Sequence, residues 1–494
     1  MQRSFVHSTF LCTAAAGILI IAFGVQCIGQ PAIPVAALTA DETAALQSIQ
    51  PGSVLATVAF LASDEMAGRD TPSRELDIAC SYVAARFQGA GLEPLAADQS
   101  YFQTEQLTTI STADAGAVMV KQDGTSIPVR AVIPGLTPLE KVSGRVYVEH
   151  ELRGRNAAEA ISADERNKHP SFVVIEAPDV PPAARNRPEQ FLRFCVRQTR
   201  PLVSAGAAAV LMKCPADSDW PELVDRLRRQ ELISKPELCS DGCILLVDED
   251  QPLQAGPVTL TASALSQQDR PVRNVVGILR GSDAELSKSA VVVTAHLDHI
   301  GRLEFGPDRI NNGADDNATG VTAVLALAEA FAQLKQRPRR SIIFMTFWGE
   351  EKGLMGSRAF VKAPLWPLQD IYANINIEMI GRPEADAHEK IWMTGWKHSR
   401  LGSVMDAGAR RVGVEVFNRQ DVGEMLYSRS DNYSFVERGI VAHSFSAGSL
   451  HSDYHQPTDE WDRLNISHMT KVIQGLFAGI LHLADSDTDL KQQR

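Results

Sequence analysis

Two glutamates stand side by side in FWGEEKGLMGS (347–357), directly after the apolar run IIFMTFW. Adjacent carboxylates repel each other, so a pair just past a core strand calls for a chemical reason. Other stretches offer the same residue types. His296 closes VVVTAH and is followed by Leu297 and Asp298; Asp315 and Asp316 lie in RINNGADDNATG; Glu378 follows YANINI; HSDYHQPTD supplies His451, His455 and Asp459. Singly, each has a plain explanation, such as a hydrogen-bonded histidine or an aspartate capping a helix. The cap accounts for one of Asp315 and Asp316 but not for both. A carboxylate beside an apolar strand, as at Glu378, is costly unless something pairs with it. Together they suit a metal site: two imidazoles and three carboxylates favour zinc, with cobalt or manganese as substitutes. Five ligands serve two ions if one carboxylate bridges them. Two divalent ions, three carboxylates and one hydroxide are electrically neutral, which leaves one of Glu350 and Glu351 free for proton transfer.

The elements that must carry these residues alternate between strand and helix from about 272 onward. VRNVVGILRG, VVVTAH, IIFMTFW and YANINIEMI read as strands; ATGVTAVLALAEAFAQL, GLMGSRAFVKA and residues 466–484 read as helices. The pattern predicts an α/β fold, a three-layer sandwich with a mixed, largely parallel central sheet flanked by helices. Ligands of such sheets bind at the carboxyl ends of the strands, where these residues fall. Residues 41–95 read as mostly helical. The stretch 128–267 contains SFVVIEA, SAGAAAVLM (a short helix leading into a strand) and CILLVDED, with few clustered acids or histidines. It reads as a smaller, β-rich accessory region.

HLD (296–298), GADDNATG (313–320), GEEKGLMGS (349–357), NIEMIGR (376–382) and SDYHQPTD (452–459) occur in an order that resembles the co-catalytic zinc exopeptidases. That family includes secreted bacterial aminopeptidases and glutamate carboxypeptidase II. The resemblance covers 45–127, including LASDEMAGRD (61–70), and 268–486; the intervening 128–267 resembles a protease-associated domain insertion. It implies two zinc ions, one held by His296 and Glu378, the other by Glu351 and His455, with Asp315 bridging. It further implies Asp298 behind His296, orienting its ring, and a cis Asp315–Asp316 bond; His299, by its place next to the first group, reads as beside the site or exposed. Glu350 would be the general base, and Tyr454 would stabilise the oxyanion. Glu378 stands where relatives more often have aspartate. The implied activity is that of an aminopeptidase acting on peptides. A carboxypeptidase or dipeptidase, with Arg382, Arg429 or Arg438 holding a terminal carboxylate, and a single-zinc glutaminyl-cyclase-like transferase are the alternatives.

The net charge of −12 excludes an ordinary nucleic-acid binder. FLCTAAAGILIIAFGV (10–25) has the length of a signal-peptide core, so residues 1–30 are expected to be a signal peptide and the protein exported, periplasmic or extracellular. An uncleaved anchor is the alternative, with no other membrane partner. Of seven cysteines, two lie in the leader; the cluster Cys195, Cys214, Cys239 and Cys243 is expected to form disulfides or buried thiols rather than a metal site.

Overall fold

A computed structural model describes residues 36–148, 161, 170–176, 179–185, 187–216, 219–303, 306–384, 387–420, 422–448 and 450–491. The expected leader lies outside them. Two sheets organise the chain. Across the larger one the strands run Glu415–Asn418, Lys390–Met393, Ala442–Ser446, Ile371–Ile377, Ala290–His296, Ser341–Phe347, Ser266–Leu279, Phe102–Ser111 and Leu232–Ile233, with Glu93–Pro94 paired to Ser266–Leu279. The four strands from Ala442–Ser446 to Ser341–Phe347 are mutually parallel, so their carboxyl ends share one edge.

Strand residues alternate between faces, and here both faces are apolar. Val291, Val293, Ala295, Phe344 and Ile375 pack into the core beneath the helices Pro51–Leu61, Arg74–Ala90, Thr319–Ala332 and Ile466–Asp485. Ala290, Val292, Ile343, Met345 and Phe347 face the opposite core, against Phe360 of helix Met355–Lys362 and Phe435. This two-sided burial explains the continuous apolar runs, each large side chain contributing about 2 kcal/mol. The expected sandwich is therefore present, and its helices lie close to their sequence positions.

The second sheet runs Ser126–Ile127, Ala117–Lys121, Gly256–Ala262, Leu139–Val148, Ser171–Glu176, Ala207–Cys214, Cys243–Asp248 and Ala131–Ile133. It too has a parallel centre, from Leu139–Val148 to Cys243–Asp248. Helices Pro188–Ser204 and Trp220–Arg228 cover one face, with Trp220 edge-on to Phe191 and Phe194. SAGAAAVLM differs from the sequence reading: the helix precedes it and ends at Ser204, while the alanine-rich run is strand. Cys80, Cys195, Cys214, Cys239 and Cys243 are unpaired thiols, all buried except Cys239.

Candidate metal centre

The shared edge of the parallel strands gathers the acids and histidines. His296 is the last residue of its strand and is 2% exposed. Its Nδ1 lies 3.0 Å from the backbone oxygen of Asp298 and 3.8 Å from that residue's carboxylate, so the main chain supplies the closer orienting contact. The Asp298 carboxylate instead accepts the Glu350 N–H at 3.1 Å, tying the histidine loop to the glutamate loop. Burial raises its pKa to about 6.

A single arginine fixes this ground from below. Arg69 is 1% exposed and donates to the backbone oxygens of Leu297 (2.9 Å), Asn312 (2.8 Å), Gly313 (3.0 Å) and Leu61. Its desolvation lowers the guanidinium to about 10, offset by the field of Asp298, Asp316, Asp459 and Glu351. A buried cation under a cluster of acids is held because each supports the other.

The aspartate pair requires a correction. Asp316, rather than Asp315, stands between the two groups of donors. Its Oδ1 is 3.2 Å from His296 Nε2, and its Oδ2 is 3.1 Å from His455 Nε2. Asp315 is turned away: its carboxylate accepts the Gly381 N–H at 2.8 Å and lies 3.2 Å from His451 Nε2. The backbone decides this assignment. Gly313 is left-handed at φ 59°, and a Cβ there would lie 2.4 Å from the backbone oxygen of Asp316 and 2.5 Å from the His299 ring. Asp459 then accepts the N–H groups of both Asp315 and Asp316 at 3.1 Å. The cis bond is likewise one residue later than expected, at Asp316–Asn317.

Around Asp316 two donor sets form. One comprises His296, Asp316 and Glu378; the other His299, Asp316, Glu351 and His455. Glu378 Oε2 is 3.3 Å from His296 Nε2, while its Oε1 accepts from Ser430 (2.5 Å) and Asn376 (2.9 Å). Those two bonds aim the longer glutamate side chain. In the second set Glu351 Oε1 is 3.3 Å from His455 Nε2 and 3.0 Å from His299 Nδ1. His299, expected beside the site or exposed, is fully buried within it. Its position three residues after a strand-ending histidine was the available signal.

These donors fit metal ions. Asp316 Oδ2 and His455 Nε2 are buried and only 3.1 Å apart, yet neither makes a hydrogen bond among the described residues. Unpaired buried polar atoms are rare, and a shared cation satisfies both. Three carboxylates and three imidazoles are a donor set that zinc accepts.

Glu350 and Tyr454 line a cavity of about 290 Å³ that includes His296, Asp316 and Glu378. Burial pushes the Glu350 carboxyl well above the ordinary glutamate range; His296 opposes this and Glu351 adds to it. Tyr454 stacks on His455 at 3.9 Å, and burial beside Asp316, Glu351 and Glu350 raises its phenol. The rest of the wall is mixed: Met379, Trp392, Val422, Leu426 and Leu450 are apolar, and Glu384, Arg419, Arg429 and several hydroxyl side chains stand among them.

Residues 274–479 match the family model described as Peptidase family M28. The chain is 25% identical over 223 residues to a vacuolar membrane protease of Clavispora lusitaniae, covering 44% of this chain and 20% of that protein. It is 27% identical over 238 residues to a probable glutamate carboxypeptidase of Arthroderma benhamiae, covering 44% of this chain and 31% of that protein. This chain thus spans well under half the length of both. Among solved structures it is similar to BSAP, a zinc aminopeptidase from Bacillus subtilis, at 16% identity and a TM-score of 0.48, covering 90% of this chain and 96% of that one.

Proposed function

Because residues 274–479 belong to peptidase family M28, we propose that the chain is a zinc-dependent exopeptidase with two ions, acting as an aminopeptidase on peptides. The observation that supports this most is the sharing of Asp316 between two donor sets, one of which, His296, Asp316 and Glu378, borders the cavity that Glu350 and Tyr454 line. His296, Asp316 and Glu378 would hold one ion; Asp316, Glu351 and His455 would hold the other. Bound zinc supplies Lewis acidity that polarises the scissile carbonyl and acidifies water. Glu350 takes the proton from the attacking water and delivers it to the leaving amine nitrogen. The backbone bond from Glu350 N–H to Asp298 holds the loop so that Glu351 faces the donors and Glu350 faces the cavity. Tyr454 borders the same space and donates its hydroxyl to the developing oxyanion.

Glu350→Gln is expected to lower kcat roughly 10³-fold while the zinc content stays unchanged. Near-normal turnover in that variant rules out Glu350 as the base. Aminoacyl anilides and N-terminally blocked peptides, assayed with the zinc-loaded protein, test the aminopeptidase assignment: a blocked amine should abolish cleavage.

One observation favours hydrolysis of substrates with a free carboxylate as a second reading. Of the three arginines the sequence offers, Arg382 is paired with Asp453 at 2.8 Å and Arg438 lines a different cavity with Ile371 and Leu490. Arg429 lines the cavity of Glu350 and Glu378. A rate that falls on amidating the C-terminus of a dipeptide, and does so less in Arg429→Ala, supports this reading. Export rests on the apolar leader, and the second sheet is proposed as an accessory, protease-associated-like unit.

A further inference from the structure

The two donor sets that share Asp316 differ in size, three residues against four, and the larger one contains His299 beside Glu351 and His455. The His299 ring is tightly fixed. The backbone N–H donates to the Arg69 oxygen at 3.3 Å, Gly313 leaves no room for a Cβ against the ring, and His455 packs edge-on at 5.5 Å. Nδ1 points into the site, 3.0 Å from Glu351 Oε1 and 3.8 Å from Asp316 Oδ2.

The spacing is that of a coordination shell. A tetrahedral zinc with donors at about 2.0–2.1 Å sets neighbouring donors about 3.3–3.4 Å apart. Going round the set, the separations are 3.0 Å (His299–Glu351), 3.3 Å (Glu351–His455), 3.1 Å (His455–Asp316) and 3.8 Å (Asp316–His299). The other set shows 3.2 and 3.3 Å around His296, with three donors in all. A hydrogen bond from His299 to Glu351 accounts for one of these four edges. It does not account for Asp316 Oδ2 and His455 Nε2 lying in the same shell without hydrogen bonds of their own.

We propose that His299 is a protein ligand of the ion held by Asp316, Glu351 and His455. The two ion positions are then unlike: one is enclosed by four protein donors, while the other has three and keeps a place for a ligand that is not protein. Structural zinc sites are closed by four donors, and catalytic ones keep a position open. The enclosed ion should bind tighter and exchange more slowly, and substrate should meet the ion at His296, Asp316 and Glu378. This inference rests on the zinc reading given above.

Zinc titration of the metal-free, full-length protein against a chromophoric chelator tests it. The wild type is expected to fill in two separable steps. His299→Ala should weaken the tighter step about 10- to 100-fold or more, leaving the other step in place. His299→Asn keeps a donor toward Glu351 but is a poor zinc ligand, and should behave like the alanine variant. His299→Asp restores a donor atom and should recover part of the tight step, and circular dichroism checks that each variant is folded. With cobalt as the probe, the first equivalent should give the intense visible absorption of a tetrahedral site in the wild type and lose it in His299→Asn. If His299→Asn titrates like the wild type and keeps the cobalt spectrum, His299 is only a hydrogen-bond tether and the proposal fails. If the wild type takes up no zinc, the metal reading itself fails, before any variant is compared.

Discussion

Both sheets place four parallel strands side by side, yet their carboxyl ends differ in kind. In the larger sheet the strands that end at His296, Phe347 and Ile377 deliver His296, Glu351 and Glu378 to the two donor sets joined at Asp316, with Glu350 in the adjoining cavity. In the second sheet the corresponding ends carry Glu176, Cys214 and Asp248. Glu176 pairs with Lys213 and Asp248 with Arg130. Burial pushes the Cys214 thiol up to about 12, which keeps it from acting as a thiolate. A row of strand ends is therefore a platform that either sheet could use. Chemistry arises where the donors face each other without neutralising partners, and the fold alone does not decide that.

The comparison can be broken most directly at Asp316. Asp316→Asn should empty both donor sets, reducing bound zinc to near zero and kcat/KM by roughly 10³-fold or more, as measured by metal analysis and peptide assay. Asp315→Asn should retain zinc and stay within about tenfold of the wild type, since its carboxylate serves Gly381 and His451. If the two variants behave in the opposite way, the bridging role belongs to Asp315.

A smaller effect separates the sheets by pH. His443, in the strand Ala442–Ser446, is fully buried between Ser399 and the Thr394 oxygen, and burial lowers its pKa from 6.5 to about 4. Between these values the unfolded chain binds a proton that the folded one refuses. The stability due to neutral His443 is therefore present above pH 6.5 and is lost as the pH falls toward 4, by up to about 3 kcal/mol. Urea midpoints measured from pH 7 to 4 should fall less steeply in His443→Asn.

The smallest effect on turnover is expected in the second sheet. Leu211 is fully buried there. Leu211→Ala should cost about 2–5 kcal/mol of that sheet's stability. The zinc content and kcat/KM of the folded protein should be unchanged. A loss of zinc in this variant would show that the two sheets are coupled.

The strand ends were legible because each joins a long apolar run to a residue that water would otherwise claim. That one of Glu350 and Glu351 is left over was legible from the charge count, and consecutive residues leaving a strand point in different directions; which of the two is the base came only from the resemblance. Asp315 and Asp316 were not separable, because their orientation is fixed by Asp459 far along the chain and by the left-handed Gly313. His299 was underrated because three residues past a strand end the chain has turned, and sequence spacing does not give the turn. Ser430, which aims Glu378, carried no signal, being one of many serines. Arg69 lay inside a recognised segment, but only its four carbonyl partners reveal what it holds.

That arginine has a consequence in time. It grips Leu297, Asn312 and Gly313 from more than two hundred residues away, and the grip is completed from the other end by His455 and Asp459. A ribosome makes these parts in order, so a growing chain carries the anchor long before it carries the last ligand. A fragment that stops short of residue 455 lacks one of the four side chains of the second donor set. The two donor sets can thus be completed only after His455 has been made, long after Arg69.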